Sequence, residues 1–203
     1  ANEESWNGLT GDTAGVGPLS AKGAVGGMFR YSINVMDGID LYASYAPSSG
    51  ATAVESSSSY GVQYTGIEGL TVGYANGDNN VKTAVTNGLA TVSAAGAEIE
   101  NTALFVKYAF DSFTIGMQDN ESDSGTANAD FDYRGYGISY AVTEDMSISY
   151  GQGTADFELA GSSDQETTAV GVSYTSGGIT VSGSMHDGEN LGGSSATTAD
   201  KQD

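Results

Sequence analysis

Apolar and polar residues alternate with a period of two in ten segments of the chain, and this spacing predicts strands with one apolar and one polar face. The first pair reads Phe29, Tyr31, Ile33, Val35 and then, after a tight turn at Met36-Asp37-Gly38, Ile39, Leu41, Ala43, Tyr45. The intervening positions are Arg30, Ser32, Asn34, Asp40, Tyr42 and Ser44. Four further pairs follow the same rule. Tyr60, Val62, Tyr64 precede Leu70, Val72, Tyr74; Leu104, Val106, Tyr108 precede Phe113, Ile115, Met117. Tyr136, Ile138, Tyr140 precede Met146, Ile148, Tyr150, and Val170, Val172, Tyr174 precede Ile179, Val181, Met185. The expectation is one all-β unit over residues 1–203, with five antiparallel hairpins across residues 27–187.

The hairpins form an internal repeat. Tyr64, Tyr108, Tyr140 and Tyr174 each stand just before a tight turn, which is followed by Leu70-Thr71-Val72, Phe113-Thr114-Ile115, Met146-Ser147-Ile148 or Ile179-Thr180-Val181. A propeller blade needs four strands, and the unit here has two. Between hairpins the connections are long and polar, at about 46–58, 78–101, 119–131, 155–166 and 187–203. In an antiparallel meander, alternate connections lie at opposite ends, so the short turns share one end and the long loops the other. Membrane barrels have this asymmetry, together with aromatic girdles at the lipid boundary, which the four tyrosines fit.

A soluble sandwich would cover the apolar face with a second sheet. Here the opposite face is Ser, Thr, Gly and Gln, so a single sheet dividing lipid from water is the better reading. A strand of about 10 residues tilted about 40° rises about 25 Å, the height of a barrel's apolar band. The predicted fold class is therefore an all-β, antiparallel, up-and-down transmembrane β-barrel. No run of about 18 apolar residues is present, which removes a membrane helix without touching a barrel.

Composition narrows the chemistry. There is no cysteine, so disulfides and thiolate metal sites drop out. Acidic residues number 26 against six basic ones, for a net charge of −20, and a chain so poor in Lys and Arg is a poor ligand for nucleic acid. Asp37, Asp40, Glu68, Asp111, Glu144 and Asp145 lie at short turns, which leaves 20 acids toward the long-loop end. A mouth of that charge would concentrate cations. The N-terminus, Ala1-Asn2-Glu3-Glu4-Ser5-Trp6, lacks the basic and apolar segments of a signal peptide.

The stretches YSINVMDGIDLYASY (Tyr31 to Tyr45), YGVQYTGIEGLTVGYANGD (Tyr60 to Asp78) and YGISYAVTEDMSISY (Tyr136 to Tyr150) resemble the trimeric porins of Gram-negative bacteria, particularly those of marine alphaproteobacteria. The resemblance implies a sixteen-stranded barrel in the bacterial outer membrane, a homotrimer, a loop folded into the pore, and a general diffusion channel for small hydrophilic solutes and ions. It implies outer-membrane lipid as partner and no cofactor. Against that pattern the chain offers about ten strands and ends without the closing strand and terminal aromatic, so a fragment is expected. Residues 1–26 would then be the pore-constricting loop, with Glu3, Glu4 and Asp12 as its acidic candidates, and residues 188–203 a terminal extracellular loop.

Strand parity directs Arg30, Asn34, Asp40, Tyr42, Gln63, Lys107 and Gln118 to the polar face as candidate pore-lining residues, with Tyr42 and Phe105 its aromatic members. Arg30 opposite the acids of residues 1–26 would set a transverse field across a constriction. Asp119, Glu121 and Asp123 are weak candidates for a cation at a loop tip, because the spacing and glycine of a calcium loop are missing. His186 is the only histidine, beside Asp187, and no serine or cysteine at a catalytic spacing partners it. The acidic pairs Glu3-Glu4 and Glu144-Asp145 lack the cleft that glycoside chemistry needs. No enzymatic activity is expected. The competing reading is a secreted, acidic, β-rich calcium-binding adhesin or surface-layer module.

Overall fold

In the computed structural model, residues 29–47, 54–92, 96–195 and 201–202 are described. They form β1 (Phe29–Met36), β2 (Ile39–Ala46), β3 (Val54–Tyr64), β4 (Leu70–Val81), β5 (Val85–Asn87), β6 (Ala90–Val92), β7 (Glu98–Phe110), β8 (Phe113–Asp123), β9 (Phe131–Thr143), β10 (Met146–Phe157), β11 (Gln165–Ser176), β12 (Ile179–Glu189) and β13 (Lys201–Gln202). Eleven of them make one antiparallel sheet in the order β1-β2-β3-β4-β7-β8-β9-β10-β11-β12-β13, while β5 and β6 pair only with each other. Neighbours in sequence are neighbours in space, which is the up-and-down topology expected from the alternation.

The five hairpins turn at short connections. Asp111 (φ 50°) and Gly178 (φ 81°) supply the left-handed backbone that such tight reversals require. The long connections fall at the other end, but they are shorter than the sequence indicated. The β8 strand runs to Asp123, β9 starts at Phe131, β10 reaches Phe157, and β11 starts at Gln165. The cause is visible in the residues: the ladder continues past the last apolar position with polar side chains, as in Asp119-Asn120-Glu121-Ser122-Asp123. The terminal stretch 188–203, expected as a loop, contains a 3₁₀ turn at Leu191–Gly193 and the short β13, which pairs with β12 at Asp187↔Gln202 and Gly188↔Lys201.

Among the described residues no second layer covers the apolar face. Phe29 is 74% exposed, Ile179 is 70% exposed, and Tyr31, Ile33, Leu41, Val62, Ile115, Ile138, Ile148, Val172 and Val181 are also exposed. What buried core exists sits on the opposite face at the long-loop end, in two clusters. One joins Val81, Val92, Ile99 and Ala129; the other joins Tyr133, Ala155 and Phe157, with Leu89 and Phe131 packed against it.

Candidate functional site

The register fixes which residues share a face. One row across the sheet runs Asn34, Asp40, Gln63, Gly73, Phe105, Gln118, Gly135, and the next runs Ser32, Tyr42, Gly61, Ala75, Ala103, Asn120, Tyr133. Arg30 aligns with Ser44 and Ser59, and Lys107 with Thr71 and Gly116, on the same face. All seven lining candidates therefore lie on one side of the sheet, opposite Phe29, Ile33 and their apolar partners. Arg30, Asn34 and Lys107 are exposed, and Asn34 Nδ2 donates to Asp40 Oδ1 at 3.0 Å. Arg30 and Lys107 stand on separate rows and do not meet. The candidates Glu3, Glu4 and Asp12 lie outside the described residues.

Gln118 differs from the other six. It is only 4% exposed, and its Nε2 has no hydrogen-bond partner among the described residues; neither does either amide atom of neighbouring Asn120. Phe105 and Tyr133 are their cross-strand neighbours. Gln118 faces the polar side but is embedded in the wall.

The aromatic population of that side is larger than Tyr42 and Phe105. Because β9 and β10 extend further than expected, Phe131, Tyr133 and Phe157 also fall on it. A Cβ on Gly73 would collide with the Phe105 ring, so glycine at 73 is what lets that ring lie flat on the wall.

On the apolar side, Tyr64, Tyr108, Tyr140 and Tyr174 sit near the short turns as expected. Phe110, which the sequence reading left out, and Phe113 join Tyr108 and Tyr140 into a ladder. Tyr108 and Phe110, Phe110 and Phe113, and Phe113 and Tyr140 have ring centroids 5.5, 5.6 and 4.6 Å apart, all stacked. From Phe110 to Leu104, six residue steps of apolar outward positions cover about 20 Å along the strand.

Beyond Leu104, Met117 and Tyr136 the outward positions become polar and charged. Asp119 accepts a 2.8 Å hydrogen bond and ion pair from Arg134 Nε, the one ion pair among the described residues. Glu121, Asp132 and Asp156 then stand directly opposite one another on β8, β9 and β10, and Asp78, Glu100 and Asp123 on β4, β7 and β8. Asn76 Nδ2 donates to Glu100 at 2.6 Å and Ser58 Oγ to Asp78 at 2.7 Å. The weak cation candidates Asp119, Glu121 and Asp123 are thus strand residues on the outer side, not a loop tip, and no group of three or more metal-ligating side chains is found among the described residues.

His186 has a closer partner than its spacing suggested. Its Nε2 lies 3.0 Å from Ser184 Oγ on the same face of β12, while Asp187 alternates to the other face. Among the described residues no third group orients the ring, so a hydroxyl–imidazole contact stands where a triad would need an acid.

A one-layer sheet with a lipid-type girdle and a polar reverse face is the wall of a membrane barrel. A profile of the Gram-negative porins matches residues 1–190. The chain belongs to the Gram-negative porin family. It is an outer-membrane protein. No curated protein matches it. Among solved structures it is similar to OmpT of Vibrio cholerae, with 19% identity, a TM-score of 0.60, and coverage of 80% of this chain and 54% of that one. It is also similar to a porin refined at 1.8 Å, with 16% identity, a TM-score of 0.56, and coverage of 79% and 55%. At such identities the likeness concerns the fold. The chain spans about half the length of these structures.

Proposed function

We propose that this chain is part of the wall of a water-filled channel through which small hydrophilic solutes and ions diffuse passively, that the channel is a homotrimer, and that the protein is not an enzyme. The observation that supports the reading best is the division of the sheet: large apolar side chains stay exposed on one face, and Ser, Gly, Asn and Arg30 occupy the other. In water, that much contiguous apolar surface would drive association. In a bilayer it is solvated by acyl chains, and the polar face then meets an aqueous lumen. Arg30, Asn34, Asp40, Tyr42, Gln63 and Lys107 line that lumen in this reading, and Glu3, Glu4 and Asp12 narrow it.

The test is planar-bilayer conductance of the full-length protein refolded from detergent, run beside a gel comparing heated and unheated samples. Stepwise ohmic currents and a heat-sensitive oligomer band are expected. A protein that stays folded and monodisperse in plain buffer and never conducts would instead favour the secreted calcium-binding module. The cation preference expected from the acidic composition is tested in the same experiment, by the reversal potential in a salt gradient.

A further inference from the structure

The connection between β4 and β7 does not stand out from the sheet end as a free loop. Its β5–β6 hairpin lies across the polar face. Val81 N donates to Ala97 O at 2.7 Å and Gly96 N to Val81 O at 2.8 Å, which closes the base. Val92 is fully buried against Val81, Ile99 and Ala129. Asn87 Nδ2 donates to Ala129 O at 2.8 Å, and Ser122 Oγ on β8 donates to Asn87 Oδ1 at 3.0 Å. The tip, where Gly88 takes φ 54°, meets Phe131 of β9, and Leu89 reaches Phe157 of β10 and Gly193. A small hairpin is thus clamped sideways over three further strands by an apolar patch and two polar contacts.

We propose, resting on the channel reading above, that this hairpin is a fixed, uncharged size filter at the long-loop mouth, and that Thr86 and Thr91 are its solute-facing residues. Stacked sheets sit about 10 Å apart, so a hairpin docked on the inner wall narrows the opening by about that width on its side. Alternation sets the chemistry. Asn87 and Val92 point into the wall and are buried, whereas Thr86 and Thr91, paired across the hairpin, are exposed and point away from it. The surface offered to passing solutes is therefore hydroxyl and methyl, without charge. Such a surface sorts neutral polar solutes by size and leaves ion preference to other residues. The filter is separate from residues 1–26.

The experiment uses the full-length protein in planar bilayers and in sugar-loaded liposomes, with two kinds of variant. Replacing residues 83–92 by a short Gly-Ser bridge should raise single-channel conductance about twofold and admit larger oligosaccharides, with the cation-to-anion ratio unchanged. Thr86→Asp and Thr86→Lys, which keep the hairpin, should move the reversal potential in opposite directions. Channels that insert normally yet keep wild-type conductance, size limit and reversal potential in all three variants would overturn the filter while leaving the porin reading intact. Failure of the wild-type protein to conduct would remove both.

Discussion

Ile138→Arg separates lipid from water as the solvent of the apolar face. Ile138 is 44% exposed, lies midway between Tyr136 and Tyr140 on β9, and is flanked by Ile115 and Tyr150 on the adjoining strands. If acyl chains cover the exposed part, truncating the side chain forfeits a little under half of the 1.5–3 kcal/mol that full burial contributes, or about 1 kcal/mol. An arginine near the barrel's midplane adds about 2–4 kcal/mol. The expected loss is thus about 3–5 kcal/mol in lipid vesicles, measured by reversible denaturant unfolding followed by tryptophan fluorescence or band shift. Ser149→Arg, one strand away on the polar face, should cost less than about 1 kcal/mol, because its guanidinium enters water. Equal stability of the two variants, or a gain for Ile138→Arg, would refute the assignment of the faces. A soluble protein would show the first of these patterns, since an exposed isoleucine replaced by arginine costs little in water.

Five other substitutions test separate parts of the wall. Phe110→Ala removes the ring stacked between Tyr108 and Phe113 and should cost about 1–3 kcal/mol of unfolding free energy, two aromatic contacts' worth. Arg30→Ala should change single-channel conductance or ion preference, and an unchanged current would remove Arg30 from the conduction path. Asp132→Asn relieves like-charge opposition with Glu121 and Asp156, so it should raise the unfolding midpoint at low salt and make it less dependent on ionic strength; a drop in midpoint would show that the row is already compensated. Gly73→Val should displace the Phe105 ring and lower stability, whereas Gly183→Val, with open space at its Cβ, should be tolerated in the same melting assay.

Strand identity and face were readable because period two survives any choice of boundary, and a one-residue slip would have reversed every assignment. Arg30, Asn34 and Lys107 appear on the expected side for that reason. Strand ends were less readable. Past Met117 the alternation persists with Asp and Asn in place of Ile and Tyr, and a rule that tracks apolar residues stops where the lipid stops, not where the ladder does. That hid the inward aromatics Phe131, Tyr133 and Phe157. The β5–β6 hairpin did carry a local signal: Asn87-Gly88 between Val85 and Val92 is a strong short-range turn pair. It is masked by length, since three-residue strands inside a 16-residue connection fall below any periodicity window. Its docking on Ser122 and Ala129 depends on residues 35 and 42 positions away, which no local pattern encodes.

The placement of charge changes what the net value of −20 implies. Counting acids toward the long-loop end suggested a cation-rich mouth, but the register puts Asp78, Glu100, Glu121, Asp132 and Asp156 on the outer side, in line with the lipid-facing residues and just beyond them. With a Debye length of about 8 Å at physiological salt, carboxylates behind a wall of this thickness act weakly on ions in the lumen. Asp40, near the short turns, is the carboxylate that the described strands hold toward the lumen, against Arg30 and Lys107. In the proposed channel, selectivity would then rest on a few residues, and a charge reversal at Arg30 or Lys107 should move the reversal potential further than neutralising any two acids of the outer rows.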